Sequence, residues 1–355
     1  GIGPEIVREA VKVLDSVADK YGHKFDYTKI LMGGCSIDEY GVPLTDEAVA
    51  TAKASDAVLL GAVGGNVGNS KWYDVAPNLR PEAGLLKIRK ELGLFANLRP
   101  AYLYDELKAA CPLKEEIIGD GFDMVIMREL TGGLYFGNRY TKEIDGLETA
   151  VDTLTYNEEE IRRIAIKGFE IAMKRRKKVT SVDKANVLGS SRLWRKTVTE
   201  IGKEYPEVEL SHEYIDSAAL KLIRRPWEYD VILTANLFGD IISDEGTGLT
   251  GTAGLFGSAE LSVSGKGLYT PNQLHYPDES VIGKQKVSPI GMIMAAALML
   301  RCSFGLEKEA KTVENAIEKV LEAKISTEDM KYPGAKIVLT GEMADFCCQF
   351  LGKDV

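Results

Sequence analysis

The sequence of 355 residues predicts an α/β protein of two domains, built on a mixed sheet flanked by helices. Three observations carry that expectation. Helical and strand-like apolar patterns alternate along the chain. The length passes the ~250–300 residues at which a single hydrophobic core stops growing. Three successive apolar runs, 179–182, 208–215 and 231–234, each lead into a polar residue, as strands do at the edge where open sheets carry ligands.

The elements follow in order. Pro4 suits the first turn of a helix, and Ile6, Val7, Ala10, Val11, Leu14 and Val17 then form a helical stripe. Residues 57–60 read as a short strand, followed by Gly61-Ala62-Val63-Gly64-Gly65. Residues 83–92 read as a helix, 95–101 as a strand and 124–127 as a buried strand. The clearest helix spans 158–177. Asn157 is its N-cap, three glutamates fill its first turn and the basic run 174–178 closes it, a polarity that complements the helix dipole. The apolar stretch 290–300 is far short of the ~20 residues needed to cross a bilayer, so no membrane partner is expected. The chain opens at a helix start, which implies a preceding strand outside this sequence.

Composition narrows the function. Hydrophobic residues make up 45% and charged residues 27%, a globular balance that excludes disorder. A net charge of −9 argues against nucleic-acid binding. The five cysteines are odd in number and contain no CxxC, which suits a reducing cytoplasm. His23, His212 and His275 are scattered, so a zinc site built on histidine is not expected.

The candidate chemistry sits at strand ends. Asp240 and Asp244 are four apart, which on a helix puts both carboxylates on one face. Their repulsion calls for a positive charge between them, and oxygen ligands suit Mg²⁺ or Mn²⁺. Asp216 is a possible third carboxylate. From spacing alone, acids placed at a helix N-terminus for its dipole are the simpler reading. Arg99 and Arg128 end strands, and Arg89 follows Leu85 by four residues and Leu86 by three on one helix. Together they suit a dicarboxylic acid; singly, each suits a surface ion pair. Tyr135 follows the Gly132-Gly133 turn, either as an acid or as packing. Lys184 follows Asp183 and is a candidate for proton transfer or a solvated lysine. The opening Gly1-Ile2-Gly3-Pro4-Glu5 is not a GxGxxG dinucleotide fingerprint.

Five segments in order make a more specific signal. They are Gly1-Ile2-Gly3-Pro4-Glu5, residues 86–100 with Arg89 and Arg99, residues 128–137, residues 181–188 and residues 238–244. Together they resemble the isocitrate/isopropylmalate dehydrogenase family of metal-dependent β-decarboxylating dehydrogenases. The resemblance runs from residue 1 to about residue 260 and resumes in the C-terminal helices.

It implies that family's two-domain fold, not a Rossmann fold. Residues 1–99 and 250–355 would form a discontinuous first domain on the cofactor side, and 100–249 a second domain with a dimerisation arm at about 140–156. It also implies an NAD-dependent oxidative decarboxylation of a small 2-hydroxy diacid. Arg89, Arg99 and Arg128 would bind the malate carboxylates. Asp216, Asp240 and Asp244 would hold Mg²⁺ or Mn²⁺, with Asp216 also meeting the substrate. Lys184 would take the hydroxyl proton and Tyr135 would protonate the carbanion carbon. Gly65, Glu82, Asn186 and Asp278 would serve NAD. A homodimer would share its sites, with Lys184, Val187 and Asp216 coming from the neighbouring copy.

Relatives that use isocitrate place serine and asparagine where this chain has Leu85 and Leu86. Those leucines, with Val187, suit an isopropyl group, which favours 3-isopropylmalate and leucine biosynthesis over isocitrate, tartrate or malate. The cofactor loop departs from the family pattern. Gln273-Leu274-His275 stands where His-Gly-Ser is usual, while Pro277-Asp278, Gly283-Lys284 and Pro289 remain. The segment Asn66-Val67-Gly68-Asn69-Ser70 is an insertion. A homologue with impaired cofactor binding is therefore the alternative from a different class.

Overall fold

The computed structural model describes residues 1–65, 70–252, 254–272, 274 and 279–352. The chain divides into two compact units. One comprises Gly1–Leu94, Asp105–Ala110 and Gly251–Val355, and the other Phe95–Tyr104 and Cys111–Thr250.

In the first unit the opening helix Gly3–Tyr21 has proline in its first turn and ends at Gly22, whose φ of 76° lets the chain turn away. Its buried stripe runs through Ile6, Ala10, Val13, Leu14 and Val17, so Val13 takes the place expected of Val11. The run 57–60 is a strand only over Val58–Leu59, parallel to Gly267–Pro271. That strand pairs antiparallel with Gly257–Ser262, setting Glu260 opposite Leu268. The helix Ile290–Cys302 packs on both of these strands and on the helices Gly3–Tyr21 and Glu307–Glu322. Every residue from Ile290 to Leu300 is buried. Having neighbours all round, this helix needs no polar face. Among the described residues no helix is long and apolar enough to cross a membrane.

The second unit holds the mixed sheet that the sequence predicts. Leu94–Tyr102 pairs antiparallel with Asp123–Glu129. Three parallel steps then lead to Val231–Thr234, Lys178–Asp183 and Glu209–Tyr214. Helices Glu158–Met173, Gly189–Gly202 and Asn236–Gly248 pack against it, and Phe169, Trp194 and Tyr229 lie wholly inside. The parallel strands share a direction, so Arg128 lies in the last pair of its parallel ladder, and Lys184, Asp216 and the helix carrying Asp240 follow C-terminal strand ends.

One helix is shorter than predicted. Asn157 caps it as expected, its Oδ1 accepting from Glu160 N at 2.9 Å while Glu160 accepts from Asn157 N at 3.0 Å. The helix nevertheless ends at Met173, so the basic run lies beyond it. Arg175 Nε donates to the buried Asp230 Oδ1 at 2.7 Å, and Arg175 Nη2 lies 2.9 Å from Asp123. The basic residues thus pin the turn into the next strand; they do not extend the helix to meet its dipole. Asp230→Ala leaves a mostly buried guanidinium without its closest carboxylate. It is expected to cost roughly 2–4 kcal/mol in chemical denaturation.

Candidate functional site

Arg128 anchors the site. It is the last residue but one of the strand Asp123–Glu129 and is 2% exposed. Its Nε and Nη2 donate to Asn236 Oδ1 at 3.0 and 2.7 Å, and its Nη1 donates to Asp240 Oδ1. The Asn236 amide is fixed in turn, its Nδ2 donating to the carbonyls of Leu130 and Gly132 at 2.8 and 3.0 Å. The helix Asn236–Gly248 starts here and packs directly on the arginine. A Cβ at Gly239 would sit 2.7 Å from Arg128 Cβ and Cγ, which explains glycine before Asp240.

Tyr135 joins through its hydroxyl, which donates to Asp240 Oδ2 at 3.0 Å. The Gly132-Gly133 turn that delivers it is tied down by the buried Glu129, which accepts from Gly132 N at 2.7 Å and from Arg163 at 3.0 Å. Burial pushes the Glu129 carboxyl up, against the pull of Arg163. Gly133 has a φ of 73°, and a Cβ there would lie 2.6 Å from Tyr156 Oη. The same Oη accepts from Asn236 N at 2.8 Å, so one phenol ties the turn to the helix start.

Arg99 is the second cation. Its Nη1 donates to Ser243 Oγ at 2.7 Å and Asp244 Oδ1 at 3.0 Å, and its Nη2 lies 3.6 Å from Asp240 Oδ1. Asp240 and Asp244 do share one helix face, and Arg99 stands between them. Loss of hydration and repulsion from Asp240 raise Asp244, while Arg99 opposes the rise. Among the described residues the buried Arg99 Nε has no acceptor.

A second cluster lies at the ends of the strands Lys178–Asp183 and Glu209–Tyr214. Lys184 Nζ donates to Asp216 Oδ1 at 2.5 Å, which holds the Asp216 carboxyl below its usual range. Asp216 falls within the first turn of the helix Ile215–Arg224. The Tyr214 ring lies 5.9 Å from the lysine and 5.1 Å from Arg195, which grips Asp183 at 2.8 and 2.9 Å. Asn186 and Val187 are exposed in the turn after Lys184. Asp216 does not join Asp240 and Asp244 within one chain. Among the described residues no group of three acids, histidines or cysteines is placed to hold a metal ion.

In the first unit, Leu85 is buried and Leu86 half-buried on the helix Pro81–Glu91. Arg89, expected to grip substrate, is 5% exposed and makes a bidentate pair with Glu260: Nε to Oε2 at 2.9 Å and Nη2 to Oε1 at 2.5 Å. Glu82 accepts from Tyr73 Oη at 2.5 Å, and the same hydroxyl lies 3.4 Å from the Gly65 carbonyl. Asp278 lies outside the described residues, as does most of the inserted segment after Gly65.

Asn236, Glu129 and Glu260 were not among the residues expected from sequence. Asn236 carried a faint signal, a polar residue right after a strand. Glu260 carried another, an acid inside an otherwise apolar and small-residue run.

Residues 1–347 match the isocitrate/isopropylmalate dehydrogenase family profile. The chain is 50% identical over 351 residues to a 3-isopropylmalate dehydrogenase of Clostridium pasteurianum, covering 99% of this chain and 97% of that one. It is 52% identical over 343 residues to a 3-isopropylmalate dehydrogenase of Clostridium acetobutylicum, covering 97% and 94%. Its structure resembles an isocitrate dehydrogenase from Methylococcus capsulatus, with TM-score 0.85, 29% identity and coverage of 99% and 97%. It also resembles a β-decarboxylating dehydrogenase from Thermococcus kodakarensis, with TM-score 0.76, 33% identity and coverage of 99% and 93%.

Proposed function

The chain belongs to the isocitrate/isopropylmalate dehydrogenase family, and from that premise we propose that it oxidatively decarboxylates 3-isopropylmalate to 4-methyl-2-oxopentanoate in leucine biosynthesis. It is a decarboxylating dehydrogenase. The observation that carries the substrate reading is the buried Arg99–Arg128 pair, with an aspartate pair and a tyrosine hydroxyl within hydrogen-bond reach.

Asp240 and Asp244 offer oxygen donors one helical turn apart, a set that fits Mg²⁺ or Mn²⁺. Asp216 of a second copy completes it. A divalent cation there supplies Lewis-acid stabilisation of the oxygen that becomes anionic as CO₂ leaves. With such a cation held by Asp240 and Asp244, the N–H groups of Arg99 and Arg128 would be the donors for the substrate carboxylates. Lys184 of the second copy would take the C2 hydroxyl proton, and NAD, when bound, would supply the hydride acceptor. Tyr135 delivers a proton to the carbon that loses its carboxylate. Gly65 and Glu82 offer a carbonyl and a carboxylate, acceptors that fit the amide N–H groups of a nicotinamide. Asp278 is the residue for the ribose hydroxyls, and Asn186 adds a cofactor contact. Leu85, Leu86 and Val187 are the wall for the isopropyl group.

A homodimer is supported by unpartnered apolar surface. The hairpin Arg139–Ile144 and Leu147–Asp152 exposes Tyr140, Ile144 and Leu147, and an isolated two-stranded hairpin is marginal in water. Leu220, Ile223 and Ile241 are exposed on the helices that follow the strand ends. The odd cysteine count with no CxxC supports a reducing cytoplasm.

The test is direct. With 3-isopropylmalate, NAD and Mg²⁺ or Mn²⁺, the protein is expected to produce NADH, well above the rates with isocitrate or malate. A folded protein that gives no NADH with either metal would overturn the reading.

A further inference from the structure

We infer that Arg195 is a positioning residue for the proton transfer assigned to Lys184, aiming that lysine through Asp183 and the ring of Tyr214. The inference rests on the function proposed above and deepens it by adding a residue to the proton-transfer step.

The frame is made within one compact unit of a single chain. Asp183 ends the strand Lys178–Asp183, directly opposite Tyr214 at the end of Glu209–Tyr214. Arg195 lies on the helix Gly189–Gly202. Its Nε donates to Asp183 Oδ2 at 2.8 Å and its Nη2 to Asp183 Oδ1 at 2.9 Å. The same Oδ1 accepts from Ala185 N at 2.8 Å, so the carboxylate links the guanidinium to the turn that carries Lys184. Lys184 N donates to Ser191 Oγ at 3.1 Å, and its carbonyl accepts from Val187 N and Leu188 N at 3.1 and 2.9 Å. The backbone on both sides of the lysine is thereby fixed. The Tyr214 ring lies 5.9 Å from Lys184 Nζ and 5.1 Å from Arg195 Cζ. Arg195 thus holds both the carboxylate that fixes the turn and the ring beside the amine.

Stability alone does not call for this arrangement. Asp183 is 1% exposed and the Arg195 side chain 32%. Replacing a desolvated ion pair by apolar residues of similar volume is commonly neutral or stabilising. An asparagine at 183 would also accept from Ala185 N. What the guanidinium adds is a fixed orientation, with two parallel bonds on the carboxylate and a flat face for the tyrosine. Proton transfer rewards such fixation, because a displacement of about 1 Å at a reacting group can cost on the order of 10²-fold in rate.

The experiment is a double-mutant cycle read by kcat for NADH formation from 3-isopropylmalate with Mg²⁺. Arg195→Met is expected to lower kcat about tenfold or more, with KM for 3-isopropylmalate and NAD within about threefold of the parent. In the Lys184→Met background the same change is expected to cost less than about twofold, since no amine remains to be aimed. Arg195→Lys keeps one bond to Asp183 and is expected to recover part of the loss. Arg195→Met leaves a buried carboxylate unpaired. The combined Asp183→Asn and Arg195→Met variant buries no charge, is measured beside it, and is expected to show the same losses. Equal losses with and without Lys184, a kcat within about twofold of the parent in both variants, or failure of both to fold would make the Arg195–Asp183 pair merely structural and overturn the inference. A parent protein that gives no NADH overturns the proposed function, and this inference with it. An active parent with any of those outcomes removes the inference alone.

Discussion

Lys184→Met is expected to leave a folded protein whose kcat on 3-isopropylmalate is about 10²–10⁴-fold lower, the range that removal of a positioned proton-transfer group produces. Methionine keeps most of the side chain's apolar stem while removing the ammonium, with its charge and its approach to the Tyr214 ring. The lysine side chain is 27% exposed and Asp216 is 65% exposed, so their ion pair adds little to stability. A denaturation midpoint close to the parent's is therefore expected beside the kinetic loss. Asp216 offers a second readout. Lys184 holds its carboxyl below the usual range, so the variant's Asp216 should titrate nearer an ordinary aspartate. The sign is fixed: a depressed folded pKa contributes stability at neutral pH that is lost as pH falls through that pKa, and the variant lacks this contribution. A side-chain NMR titration of Asp216 checks it. Unchanged kcat would remove Lys184 from the proton-transfer role.

The parts of the site legible in sequence are those set by local periodicity. Four-residue spacing put Asp240 and Asp244 on one face, and apolar runs put Arg99 and Arg128 on strands, but pairing with Asp123–Glu129 carries the first strand on to Tyr102, so Arg99 lies within it and not at its end as the sequence predicts. Asn157 was readable as a cap because capping is settled within four residues. The illegible parts depend on pairing between distant segments. Nothing near Arg89 in sequence indicates that Glu260 lies against it, 171 positions away. Asn236 takes its role only when the strands Asp123–Glu129 and Val231–Thr234 align and set it beside Arg128. The helix Glu158–Met173 stops early for the same reason. Its lysines and arginines are good helix formers, and the buried Asp230 that draws Arg175 away belongs to another element. Asp216 shows a further limit: it pairs with Lys184, and among the described residues it forms no group of three acids with Asp240 and Asp244, so its place beside them belongs to the proposed dimer.

That arrangement makes Arg128→Lys the most informative change. The guanidinium uses all three nitrogens, two on Asn236 and one on Asp240, from a site that is 2% exposed. A single ammonium cannot span both partners. The substitution strands an amide oxygen and uncouples Asp240 from the acceptor geometry it gives Tyr135, so it is not conservative. A loss of roughly 1–3 kcal/mol in stability follows from the unpaired buried groups. A fall in kcat/KM of about 10³-fold follows from lost carboxylate binding and misplaced Tyr135 and Asp240 together. The stronger consequence concerns assembly. In the proposed dimer, Arg128 of one copy works with Lys184 of the other. Co-expressing the Arg128→Lys and Lys184→Met chains would give mixed dimers holding one intact site and one doubly damaged site. Mixed dimers purified with distinct tags are expected to recover up to about half the parent rate per dimer, far above either variant alone, because a shared site puts both lesions in one active centre and leaves the other intact. Mixed dimers no more active than the two variants would show that each chain carries its own complete site. The two-copy arrangement of Lys184, Asp216 and the Asp240–Asp244 pair would then have to be abandoned.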